Sequence, residues 1–191
     1  MSLFNPTLEE YRNAIEWHAK NRIDNMLHNK GNEHALIIFE NMFKYSTGHV
    51  RIFAKDMANM EVVNTKRYVD AMKEFISRPD IKLDILVTNF NKEVKGIEKD
   101  INLFYMLRHS WAYSADRIRI RTTNGMTFRM QGNTIHFCTS DGHAYRMERD
   151  IEKRIAQANF GDAGTTEKLD SLFDDAFEKC VNKVKLEDYF A

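Results

Sequence analysis

The stretch NTIHFCTSDGHAYRMERD, residues 133–150, carries a histidine, an aspartate and an arginine on what reads as two short strands around an Asp-Gly turn. Such side chains can move protons or hold a phosphate. Alternation puts Thr134, His136 and Cys138 on one face of the first strand, with Ile135 and Phe137 on the other. After Asp141-Gly142, Ala144, Arg146 and Glu148 share a face opposite Tyr145 and Met147. The aromatic side is the expected core face, which leaves His136 and Arg146 toward a groove or solvent.

A second constellation precedes it. In DRIRIRTTNGMTFRMQ, Arg117, Arg119 and Arg121 repeat with period two, so one strand face is a ladder of guanidinium groups while Ile118 and Ile120 face the core. Arg129, across the TNGM turn, could extend the ladder. Like charges so placed repel unless something sits against them. Carboxylates such as Glu148 or Asp150 would serve, and so would a phosphate backbone or a phosphorylated ligand. His109, Trp111 and Tyr113 could stack a base or anchor a helix end to the sheet. His49 and His143 have no carboxylate or cysteine at ligand spacing, so no metal is expected. The chain has no G-x-x-x-x-G-K and no G-x-G-x-x-G loop, and no cofactor is expected.

The rest of the chain must position these groups. At 191 residues it is long enough for one well-filled domain with at most a small appendage. Lys+Arg and Asp+Glu are equal at 28 each, so no global field draws it to nucleic acid or membrane. The charges are nonetheless segregated: residues 117–154 hold eight Arg/Lys against four Asp/Glu, and 162–191 hold eight acids against four lysines. Only Cys138 and Cys180 are present, far apart, which excludes a disulfide framework. No apolar run approaches a span and nothing resembles a signal peptide, so a reduced cytoplasmic protein with no membrane partner is expected.

Thr7 and Glu10 have capping-box spacing, which predicts a helix running to about Leu27 and stopping near Gly31. A second helix follows with Leu36, Phe39 and Phe43 on one face. Then come a strand with Val50, Ile52 and Ala54 inward, a helix ended by Pro79, and a buried strand in IKLDILVTNF. A helix follows with Val94, Ile97, Ile101 and Phe104, then strands from Arg117 to Met147. A closing helix has Leu169, Leu172, Phe173, Ala176 and Cys180 inward. The fold class is α/β, a mixed β-sheet covered by helices. Residues 1–31 form an N-terminal helical segment packed on a main domain of 32–191. The tail VKLEDYFA either docks a partner or folds back onto the sheet.

The element order and the runs IHFCTSDGHAYRMERD and ANFGDAGTTEKLDSLFDDAF resemble the phospholipase D superfamily half-domain over residues 32–180. That family's motif is His-x-Lys, four residues, then Asp, with Gly-Ser-x-Asn downstream. Aligned on Asp141, the resemblance puts Thr134 at the nucleophilic histidine and His136 at the lysine. Asn159 would be the asparagine, though it falls eight residues late and is preceded by Gln157-Ala158, with no Gly-Ser before it. The resemblance implies the fold, a motif lacking its nucleophile and phosphate clamp, and half-domains that pair as homodimers.

The expected role is therefore non-catalytic recognition of a phosphate-bearing ligand, nucleic acid first, through Arg117, Arg119, Arg121, Arg129 and Arg146. The setting that suits such a protein is a bacterial or phage accessory role, in defence or its control. Two alternatives stand. One is an active phosphodiesterase or nuclease with a rearranged site drawn from Thr134, His136, Asp141, Arg146 and Asn159. The other is a protein-interaction module whose arginine face meets an acidic partner, such as the acidic segment of a second copy.

Overall fold

The structure, a computed structural model, describes residues 6–90 and 98–190. Helix α1 (Leu8–Asn21) opens with the expected capping box: the Thr7 hydroxyl accepts from the Glu10 N–H, and the Glu10 carboxylate accepts from the Thr7 N–H at 2.8 Å. It ends earlier than its spacing predicts, at Arg22 in a left-handed conformation. Residues Leu27–Lys30 form an edge strand, β1, with no alternating pattern of their own; pairing with a distant strand makes them extended.

Helix α2 (Asn32–Tyr45), β2 (His49–Ala54), α3 (Lys66–Ser77) and β3 (Lys82–Val87) follow as predicted. Of the next helix, Val94 and Ile97 lie outside the described residues, Ile101 closes a 3-10 turn, and Phe104 is in α4 (Leu103–Arg108). A short α5 (Trp111–Ser114) leads to β4 (Ile118–Thr122). Strands β5 (Arg129–Met130) and β6 (Asn133–Thr134) form a separate ribbon. The hairpin β7 (His136–Ser140) and β8 (Ala144–Asp150) is followed by β9 (Ile155–Asn159), which the sequence reading missed, and by α6 (Ala163–Lys179).

The seven-stranded sheet has the order β1-β9-β8-β7-β2-β3-β4. Its β2-β3-β4 part is parallel and the rest antiparallel, so the mixed α/β class holds. One core packs α1–α5 on Val50, Ile52, Leu83, Ile85, Ile118, Ile120 and Cys138. The other packs α6 on Phe53, Leu86, Phe137, Tyr145 and Met147. Burial of both faces corrects one expectation. The aromatic face of the hairpin is core, and so is the opposite one: Arg146 is only 4% exposed and Glu148 3%.

The tail folds back. Val184 and Leu186 are buried, the Leu186 N–H donates to the Tyr113 hydroxyl at 2.9 Å, and Tyr189 packs on Phe90. Tyr113 is thus an anchor for the tail. Trp111 lies over the Arg117 guanidinium at 4.2 Å.

The Asp-Gly turn is locked from outside. Asp141 and Gly142 both have positive φ, 53° and 71°, and the His143 N–H reaches the Ser140 carbonyl at 3.2 Å, the arrangement that suits a tight hairpin. The Asp141 carboxylate then accepts the N–H groups of Thr47, Gly48 and His49 at 2.8–3.0 Å and the Ser46 hydroxyl at 3.1 Å. A Cβ at Gly48 would meet Asp141 Oδ1 at 3.1 Å, so the glycine permits that close approach. Asp141→Ala strips the acceptor from these donors and should lower the unfolding free energy by about 1–3 kcal/mol in urea titration. An unchanged midpoint would show that the carboxylate does not hold the turn.

Candidate functional site

Where β2 ends, its carboxyl end, β7, β8 and the loop before α3 enclose a cavity of about 390 Å³. The switch from parallel to antiparallel pairing occurs at β2, and open α/β sheets favour ligand sites beyond strand carboxyl ends at such points. Phe39, Ile52, Met57, Val62 and Val63 supply apolar wall; Lys55, Asp56, His136, Arg146, Glu148 and Arg154 supply charge and polarity.

The register that pairs His136 with Glu148 across the hairpin, and the alternation that puts Arg146 on the same face, bring these side chains together. Glu148 is their hub. His136 Nδ1 lies 3.5 Å from one carboxylate oxygen, while Arg146 Nη2 at 3.4 Å and Arg154 Nη1 at 3.7 Å approach the other. None of these contacts is short. Burial pushes the Glu148 carboxyl up, but the His136 hydrogen bond and the two guanidinium charges outweigh it and hold the group below its ordinary value. Burial pushes the Arg146 guanidinium down, opposed by Glu148. Arg146 also lies over the Phe39 ring at 5.0 Å. Glu148 was expected as a partner for the strand arginines, and Arg154 and Tyr68 were not singled out. The signal for Glu148 was its place on the Arg146 face.

The remaining candidates lie elsewhere. Thr134 is on the β5-β6 ribbon opposite Arg129 and does not line the cavity. Asp141 is five residues along β7 from His136, about 16 Å at roughly 3.3 Å per residue. Asn159 is consumed locally: its amide donates to Asp24 at 2.8 Å, and its carbonyl accepts from the N–H groups of Gly161 and Asp162. The rearranged catalytic set is therefore not assembled; of its members only His136 and Arg146 meet.

Arg119 and Arg121 of β4 face α6, on the other side of the sheet from Arg146. Arg119 grips the buried Asp84 with two hydrogen bonds of 2.7 Å, and His49 Nε2 meets the same carboxylate at 2.8 Å. Arg121 donates to the carbonyls of Phe177 and Cys180 at the end of α6, and both arginines lie over the Phe177 ring. Arg51 holds Asp174 at 2.7 and 2.8 Å and Asp170 at 3.3 Å. Arg117 reaches the Arg78 carbonyl at 3.0 Å, and Arg129 is exposed. Between the basic and acidic segments of the sequence the link is Glu178, at 3.5 Å from Arg119 and 3.7 Å from Arg121.

No family model and no curated protein matches the sequence. Solved structures do match. The archaeal chromatin protein TrmBL2, whose structure is described as showing a novel mode of DNA binding, superposes with a TM-score of 0.59 at 15% identity, over 92% of this chain and 62% of its own. Nuc from Salmonella typhimurium, described as a phospholipase D family member, gives 0.57 at 12% identity, over 85% of this chain and 99% of its own. The fold is phospholipase D-like. Phosphatidylserine synthase from Haemophilus influenzae Rd KW20 gives 0.53 at 10% identity and is matched over 41% of its length, so this chain spans less than two thirds of both it and TrmBL2.

Of the residues that the resemblance puts at the motif, His136 lines the cavity, whereas Thr134 is on the ribbon. Asn159, which the resemblance puts at the asparagine, does not line the cavity. Among the described residues no serine or threonine lines the cavity, and burial pushes the Cys138 thiol far up, away from thiolate.

Asp84 makes the opposite face pH-sensitive. Burial raises its pKa, but hydrogen bonds from His49 and Arg119 prevail and depress it below the ordinary 3.8. A depressed carboxylate contributes stability that is present above its unfolded value and lost as pH falls through its folded value. Asp84→Asn should therefore cost about 2 kcal/mol at pH 7, discounted for the partly exposed Arg119. The gap to the parent protein should narrow as pH falls below the ordinary carboxylate value of 3.8 and through the lower folded value, in denaturant titrations. A pH-independent gap would mean the pair's charge is irrelevant.

Proposed function

We propose that the chain is a non-enzymatic binding module that holds a phosphate-bearing ligand in the cavity beside β2, β7 and β8. The charge count around Glu148 supports this most: two guanidinium groups and an imidazole share a single carboxylate at loose distances. Lys55 and Asp56 on the same wall cancel, so the fixed charge of the lining is positive and an anion would complete it. Binding without chemistry is favoured because the nucleophile position is a threonine on a separate ribbon, and His136 is engaged with a carboxylate.

TrmBL2 is described as binding DNA, and that similarity supports nucleic acid as one source of phosphate. A small ligand is favoured over it, because Arg119 and Arg121 are taken up under α6 while Arg146 lies at the cavity. The arginines then offer no continuous basic track along which a phosphate backbone could run. The protein-interaction reading loses support because Arg119 and Arg121 already have partners within the chain, in Asp84, Glu178 and the terminal carbonyls of α6. The homodimer implied by the resemblance is a separate matter, read by size-exclusion light scattering.

Two measurements test the proposal. Bis(4-nitrophenyl) phosphate and single- and double-stranded oligonucleotides should remain uncleaved with or without magnesium; turnover abolished by His136→Ala would overturn it. Orthophosphate should raise the thermal midpoint of the parent protein, and Arg154→Ala should remove most of that shift, since a charge-assisted pair contributes about 1.5–3 kcal/mol. An equal shift in the variant would place the anion elsewhere.

A further inference from the structure

Two buried polar groups of the cavity lining lack acceptors among the described residues. Arg146, 4% exposed, directs Nη2 to Glu148, but its Nε–H has no hydrogen-bond partner among the described residues. Tyr68, 1% exposed, has a hydroxyl likewise without a partner, close enough for the Arg146 charge to act on it. Both side chains line the cavity. A buried donor left unpaired costs about 1–3 kcal/mol, so two on one wall mark a place built for an acceptor-rich group. Beside them the wall turns apolar, through Met57, Val62 and Val63.

We infer that the occupant is a small phosphate monoester with a compact aromatic or branched apolar body. This rests on the binding reading above and adds the ligand class. The phosphate oxygens take the Arg154 guanidinium and, as the lining shifts to expose them, the Arg146 Nε–H and the Tyr68 O–H, while the body lies on the apolar wall. A dianion suits the site better than a carboxylate, because two guanidinium groups and His136 face only Glu148. The volume, about 390 Å³, is that of a small-molecule site and accommodates one compact ligand, not a run of nucleotides.

The test is isothermal titration of the full chain with phenyl phosphate, orthophosphate, benzoate and a thymidine oligonucleotide. Phenyl phosphate should bind at least about tenfold more tightly than orthophosphate or benzoate, as burial of one ring on an apolar wall warrants. Tyr68→Phe keeps the ring and the fold, and should weaken phenyl phosphate about fivefold without loss of thermal stability, the effect of one neutral hydrogen bond. Equal affinity for orthophosphate and phenyl phosphate would overturn the ligand class and leave the binding reading standing. Binding of neither would overturn both. Tightest binding of the oligonucleotide, or an unchanged affinity in Tyr68→Phe, would overturn the small-ligand inference alone.

Discussion

Covering a seven-stranded sheet on both faces withdraws from water the charged side chains its strands carry, and the interior has to supply their partners. The cost of an unpaired buried charge far exceeds that of an imperfect pair, so each such residue dictates its surroundings. Under α6, Asp84 draws Arg119 and His49, and Arg51 draws Asp170 and Asp174. The Asp84 and Asp174 pairs are short, at 2.7–2.8 Å, and Arg51–Asp170 is longer, at 3.3 Å. Under α2 and α3, Glu148 collects His136, Arg146 and Arg154 at longer distances beside a cavity. One face satisfies its charges; the other leaves an excess of cation next to open volume. That asymmetry separates a structural network from the proposed binding site.

Asp170 illustrates the tension on the satisfied face. Burial pushes its carboxyl up despite the Thr139 hydroxyl and Arg51, while Asp84 is held down by stronger hydrogen bonding. The two acids therefore act on stability with opposite sign as pH changes, because a raised carboxylate favours the fold only where it can be protonated. The same helix ends at Arg121, which takes up its terminal carbonyls as a cation at a helix C-terminus should. The arginine ladder is thus largely the seam by which α6 is fixed to the parallel strands.

Much of this was legible in the residues. Capping at Thr7, the turn at Asp141-Gly142, the face of β2 and most of the face of the closing helix follow from local chemistry and period, although Leu172, expected inward, is exposed; the order of elements led to the phospholipase D-like fold. What was not legible depends on pairing between distant segments. Strand β1 has no pattern of its own and is extended because β9 offers an edge; β9 itself was hidden between a charged loop and a helix start. Alternation put His136, Arg146 and Glu148 on one side, yet could not say that helices would cover that side as well. Asp84 inside an apolar strand was a signal for a buried partner, and Arg119 is that partner.

The central claim is that the hairpin of a phospholipase D-like fold here binds phosphate and does not transfer it. Phosphorus NMR of phenyl phosphate mixed with the protein tests it most directly. The account predicts a resonance broadened by the parent protein, sharp again with Arg154→Ala, and no new signal on prolonged incubation. Appearance of orthophosphate or of a phosphohistidine resonance, lost in His136→Ala, would contradict it.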